Sequence, residues 1–213
     1  MATPRSMVPF AAVSLALTLS VGTATPLLAQ EGTPESGGMR FPITPDPADC
    51  QVEPRATDEL LALWYTPEGD PLPAATPMMD STSVNVPLGP PADEATTAAV
   101  TAVASEVFSC FAAGDFARAT ALFTDELTRG FGGEPGTTAE QARAFIEASP
   151  VPEPMDEPDQ IISVSDVMEL SGGRLGAIIV DRSMGQQDAV YVILEQQGDR
   201  WLVDEIIDFV PAE

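Results

Sequence analysis

The chain has 213 residues, with 33 Asp and Glu against 9 basic residues (all of them Arg), no His and 2 Cys. A formal charge of −24 argues against nucleic acid and anionic lipid as partners, because both demand clustered Lys or Arg to neutralise phosphate. The lack of His removes every mechanism built on imidazole, including the Ser-His-Asp and Cys-His arrangements, and two Cys alone cannot close a four-ligand zinc site.

Residues 1–29 read as a secretory leader. Arg5 supplies the positive start, residues 8–19 are apolar apart from Pro9, Ser14 and Thr18, and Leu27, Leu28 and Ala29 lead to a cleavage site near Ala29. A membrane anchor is the competing reading, but the run falls short of the about 20 residues that a span requires. Gly22, Thr23 and Pro26 also interrupt it. The expectation is a secreted or extracytoplasmic chain that is not an integral membrane protein once the leader is removed. In an oxidising compartment Cys50 and Cys110 are expected to pair. The bridge would close a loop of about sixty residues, worth roughly 4 kcal/mol in the chain-entropy picture. A reactive thiol is the alternative, and neither Cys has a flanking base to lower its pKa.

Residues 30–49 are rich in Gly, Pro and acid and predict a disordered spacer. Residues 50–66 predict a short arm, in which Thr57 caps a helical segment carrying Leu60, Leu61 and Trp64. Alone the segment is too short to persist, so a disulfide would staple it to the body. Seven prolines between positions 67 and 91 predict a stiff, extended linker.

The folded body is expected over 92–211. Asp93 caps a helix with Val100, Val103, Val107 and Phe111 on one stripe. Gly114 ends it, and Asp115 caps a second helix carrying Phe116, Ala119, Phe123 and Leu127. Thr137 with Glu140 forms a capping box for a third helix, which buries Ala142, Phe145 and Ile146 before Pro150 stops it. Residues 161–170, 174–181, 189–195 and 201–210 are rich in Ile, Val, Tyr and Trp and read as strands joined by short glycine links, hence antiparallel. Helices followed by strands predict an α+β fold, three helices packed on a curved antiparallel sheet.

The helix junction Phe108-Ser-Cys-Phe-Ala-Ala-Gly-Asp-Phe-Ala-Arg-Ala-Thr-Ala-Leu-Phe-Thr-Asp125, with Gly114-Asp115 at its turn and Leu122-Phe123 beyond, resembles the nuclear transport factor 2-like superfamily, especially SnoaL-like bacterial members. So does the last strand's opening, Gly198-Asp-Arg-Trp201-Leu-Val-Asp204. The resemblance covers about residues 92–211. It implies a cone-shaped, cystatin-like barrel whose sheet wraps a pocket, needs no cofactor, and forms a homodimer through the exposed sheet face. Such folds host isomerases, dehydratases and polyketide cyclases as well as nonenzymatic binding modules, so architecture does not settle activity. Without His, the dehydratase-type and several cyclase-type sites are ruled out, leaving an Asp base with a Tyr donor. The first helix has no Tyr at the position the isomerases use.

Strand alternation puts Asp166 among Ile162, Val164, Met168 and Leu170. A carboxylate on the concave face would be desolvated and raised in pKa, as a general base requires. Alternatively, a β-bulge at Ser165-Asp166 turns it outward. Tyr191, the one Tyr in the body, either donates a hydrogen bond into the cone or fills core. Phe131, Phe145, Met168, Tyr191 and Trp201 would line an apolar ligand-binding cavity, or are plain core. In the last strand Trp201, Val203, Glu205, Ile207 and Phe209 share a face unless a bend near Asp204-Glu205 switches it. The acids at 156, 157 and 159 lack the spacing of a calcium loop, so no metal is expected. These residues describe an exported, nonenzymatic domain that binds a small apolar or cationic ligand or a protein partner. The rival is a cofactor-independent isomerase or cyclase with Asp166 as base and Tyr191 as donor. A third reading makes the disulfide-tied arm the interacting part.

Overall fold

Asp93 opens the long helix as its sequence predicts, its carboxylate accepting the Thr96 amide at 2.7 Å. The computed structural model describes residues 40–73, 86–132, 136–151, 158–183 and 185–208. The expected leader and its cleavage site, residues 30–39 of the expected spacer, the middle of the proline-rich linker, the acids at 156 and 157, and Phe209 lie outside the described residues.

Within them, helices α1 (Thr57–Trp64), α2 (Glu94–Ala112), α3 (Phe116–Thr120), α4 (Asp125–Gly130) and α5 (Ala139–Ala148) precede strands β1 (Gln160–Glu169), β2 (Leu175–Ser183), β3 (Gln186–Gln197) and β4 (Arg200–Asp208). The strands pair in chain order as one open, antiparallel, four-stranded sheet. The α+β order is as expected. The expected three body helices are four, because the second one splits. Thr124 caps α4 through its side chain, and residues Leu122 to Thr124 run alongside β4 instead. The Val203 amide donates to the Leu122 carbonyl and the Thr124 amide to the Val203 carbonyl, both at 2.9 Å. The capping box of the third expected helix also moves by one residue, to Thr138 with Gln141.

Alternation along the strands sorts the sheet into two faces. Leu175, Ala177 and Ile179 of β2, Val192 and Leu194 of β3, and Val203 of β4 meet Val100, Ala104 and Val107 of α2, together with Phe123 and Leu127. By length and hydropathy α2 could cross a membrane, yet that stripe is the core of this fold. Tyr191, Ile193 and Ile207 point to the opposite face, where Leu170, Met168, Ile178 and Val86 join them. The outer edge of β1 is covered at both ends: Ile43 exchanges two backbone hydrogen bonds with Ile161, while Ala92 donates to Val167 and Glu169 donates to Pro90. Residues 40–49 are therefore not a spacer, because Ile43 pairs into the sheet edge and Pro47–Asp49 form a 3-10 turn.

The arm is part of the body. Cys50 and Cys110 form a disulfide across a sequence separation of 60, which fits an oxidising compartment. Thr57 is the first residue of α1 and its cap position is Ala56, with no side-chain cap. Leu60, Leu61 and Trp64 are buried, as the spacing predicts. They form a second small core with Ala117, Ala142 and Ile146, away from the sheet. Arg55 fastens it. Its guanidinium donates to the carbonyls of Thr120 at 2.9 Å and Phe123 at 2.5 Å and pairs with Asp125 at 2.6 Å. Trp64 Nε1 donates to the Thr128 carbonyl at 2.8 Å, and a Cβ on Gly132 would run into its ring.

Two stability measurements follow. Replacing Cys50 and Cys110 together by Ala should lower unfolding free energy by about 3–4 kcal/mol in urea titrations, through the larger conformational freedom of the unfolded chain. Arg55→Lys should cost roughly 2 kcal/mol, because an ammonium group cannot replace the planar fork that serves two carbonyls at once. Lys at 55 as stable as Arg would show that those bonds contribute little.

Candidate functional site

The candidate residues do not converge. β1 carries two register shifts, between Ile161 and Ser163 and between Ser165 and Met168. Asp166 sits in the second with φ +48°, a left-handed conformation that only short polar side chains other than glycine adopt readily. Its side chain is exposed, and Ser165 Oγ lies 3.2 Å from Asp166 Oδ2. The bulge turns the carboxylate outward and moves Val167, not Asp166, to the α2 side. Of the two placements open for Asp166, the outward bulge at Ser165-Asp166 is the one that forms, and the concave-face position is not.

Tyr191 is 1 % exposed. Its hydroxyl donates to the Pro87 carbonyl at 2.7 Å. Burial pushes its pKa above the ordinary value, so the phenol stays neutral. Its ring lies over Gly176, where any Cβ would meet the hydroxyl. Strand β2 separates the two candidates, since Ser165 pairs with Ile178 and Ile178 with Tyr191. The buried phenol is occupied by a backbone carbonyl, and the acid stands in solvent.

The expected cavity lining divides in the same way. Phe131 and Trp201 pack against the main core on the α2 side. Phe131 stacks on Phe123 with centroids 5.3 Å apart. Met168 joins Tyr191 on the opposite face, because the β1 bulge shifts its register. Phe145 lies on the surface of α5, 60 % exposed. Those five residues do not line one cavity. The switch expected near Asp204-Glu205 does occur: a register shift opposite Ile193 and Leu194 leaves Trp201, Val203 and Ile206 facing α2 and Ile207 facing away. Asp204 then accepts from Thr124 Oγ1 at 3.0 Å and lies 3.6 Å from Arg174.

Sequence reasoning passed over two features. Asp181 is 9 % exposed and follows Ala177 and Ile179 on the apolar face of β2, a placement that alternation would have found. Burial raises its pKa, with Asp188 (its direct partner on β3) and Asp159 adding repulsion. The other feature is the solvent-facing side of α5, described below. Three buried hydroxyls are satisfied locally, Thr101, Thr120 and Thr128 each donating to the carbonyl one helical turn back, whereas the buried Ser109 Oγ on α2 has no hydrogen-bond partner among the described residues. No group of three or more His, Cys, Asp or Glu able to hold a metal occurs among the described residues.

Comparison with family models, with curated proteins and with solved structures finds no match.

A raised carboxylate pKa means that the folded state holds its proton more tightly than the unfolded state does, so ionised Asp181 penalises folding at neutral pH. The penalty is relieved as pH falls through the raised value towards the ordinary 3.8. Asp181→Asn should therefore melt at a higher temperature than the parent at pH 7, with the difference shrinking towards pH 4. A constant difference across that range would remove Asp181 as its source.

Proposed function

We propose that this chain is an exported, nonenzymatic domain of nuclear transport factor 2-like architecture, SnoaL-like in its helix junction, that works by docking a protein partner on α5. Phe145 carries the reading. Its ring is 60 % exposed on a helix that buries Ala142 and Ile146. Covering the exposed part of the ring would recover on the order of 1–2 kcal/mol. The long helix laid on an antiparallel sheet, with Asp115 capping the next helix after the Gly114 turn, supports the architecture.

The interior favours binding over catalysis. Val100, Phe123, Ala177 and Leu194, on the face where a cone pocket would lie, are each at most 1 % exposed. The isomerase reading needs Asp166 and Tyr191 at a common buried site, and they are placed otherwise. A small cationic ligand is the second reading, favoured by Asp181, a carboxylate buried among apolar side chains and facing two further acids.

A photocrosslinking amino acid at position 145 tests the docking surface in the producing cell, with the same group at exposed Gln196 as control. The expected result is one protein adduct from position 145 and none from position 196, identified by mass spectrometry. No adduct at 145, or the same set of adducts from both positions, overturns the reading.

A further inference from the structure

The solvent side of α5 is an uncharged stripe. Gln141, Ala144, Phe145 and Ala148 are exposed and recur at the three- and four-residue spacing of one helical face. The stripe continues past the helix end to Val151, 63 % exposed, whose amide donates to the Gly114 carbonyl at the α2–α3 turn at 3.4 Å. Two small residues beside one large ring leave room for another backbone to approach closely. The ring itself is held: Phe145 meets Phe116 edge-on at 5.6 Å, and Phe116 meets buried Trp64 at 5.9 Å. An anchor fixed before contact loses little side-chain freedom on binding.

Acids border the stripe. Glu140 and Glu147 flank it on α5, and Asp58 and Glu59 stand on the neighbouring α1. Asp58 and Glu147 share Arg143, the one base on α5, at 2.6 and 3.4 Å, and Glu59 lies 3.4 Å from Arg55, so two bases stand against these four acids and the border keeps a net negative charge. The whole chain carries −24. A second copy would bring the same charge to the contact, whereas a cationic partner gains from it. The stripe also follows a helix axis for about 10 Å, which suits a helix with anchors at i, i+3 or i+4, and i+7. Strand addition is less well served. Ile43 and residues Pro90 to Ala92 occupy the outer edge of β1, and residues Leu122 to Thr124 occupy β4 at Val203.

We propose that the α5 stripe of Ala144, Phe145, Ala148 and Val151 receives a basic amphipathic helix, its apolar side on Phe145 and its Lys or Arg residues against the surrounding acids. The proposal rests on the docking reading above and narrows it to one partner chemistry.

The test uses the full mature chain and three labelled 18-residue peptides: Lys/Leu amphipathic, Glu/Leu amphipathic, and Lys/Ser with the same charge but no apolar side. Fluorescence anisotropy should show the Lys/Leu peptide binding at least tenfold tighter than either other peptide, with added salt weakening it. Phe145→Ser should weaken that binding at least tenfold and Phe145→Leu only slightly. Leu88→Ser, at a site 76 % exposed elsewhere, should leave it unchanged. Thermal melts confirm that the variants fold. Equal binding of the Glu/Leu or Lys/Ser peptide, or loss of binding equally in Leu88→Ser, overturns the basic-helix proposal. So does a concentration-dependent dimer that Phe145→Ser abolishes. An adduct at position 145 to a partner without a basic helix ends this proposal but leaves the docking reading standing; no adduct there ends both.

Discussion

The covalent tie between Cys50 and Cys110 is the constraint on which the remaining packing depends. It joins the arm to α2, the helix that fills one face of the sheet, and so places α1 beside α3 and α5. Without that placement, Ala117, Ala142 and Ile146 would have no Leu60, Leu61 or Trp64 to pack against. Both sulfurs sit in the core, with Cys50 5 % and Cys110 0 % exposed, so the bridge is packed as well as bonded. Arg55 repeats the tie with polar groups at the α3–α4 break, donating to the Phe123 carbonyl and to the Thr120 carbonyl, which also accepts from the Phe123 amide. A chain whose buried side chains divide into three clusters requires such connections more than one with a single large core.

A second control acts within the sheet. Because side chains alternate, one extra residue in a strand moves every later residue to the other face. β1 has such shifts before Ser163 and before Met168, and β4 has one at Asp204. Together they keep Ile161, Val164 and Val167 towards α2 and turn Asp166 out, while Met168 joins Tyr191 on the far face. That far face is not the bare surface through which a family-like homodimer would form. Tyr191, Ile193, Leu202 and Ile207 are buried within a single chain, and the Pro87 carbonyl takes the Tyr191 hydroxyl.

Features written in short-range chemistry were legible in the sequence. Asp93, Asp115 and the glycine links announce helix starts and hairpins, and the paired Cys announce the bridge, because each acts within a few residues or through one bond type. Features set by distant partners were not. The second helix breaks at Thr124 because β4 offers a better hydrogen-bond partner, which local propensity cannot express. Ile43 reads as spacer because its pairing partner, Ile161, lies more than a hundred residues away. For Asp166 the sequence left two placements open, the concave face by strict alternation or outward by a bulge at Ser165-Asp166; the bulge forms, and periodicity alone could not choose it. The bend near Asp204-Glu205 was open as an alternative because strongly curved strands bend, and a register shift there does occur, though alternation alone could not decide which face turned inward.

The acidity of the chain and the exposed ring on α5 are connected. Strong net charge keeps copies apart, since like charges oppose every encounter between them. A protein so protected can carry Phe145 and Val151 in water at little risk of self-association, where a neutral chain would coalesce through them. The same field draws in whatever bears positive charge, so repulsion between copies and attraction of a basic partner arise from one charge distribution. Arg143 offsets part of this border, since it pairs with Asp58 and Glu147, so the acidity that remains beside the stripe comes from Glu140 and from the net charge of the chain. What remains facing solvent on α5 is an apolar strip with Glu140 and Glu147 at its margin. In the proposed docking, apolar contact there would supply affinity and the surrounding charge would favour a basic partner.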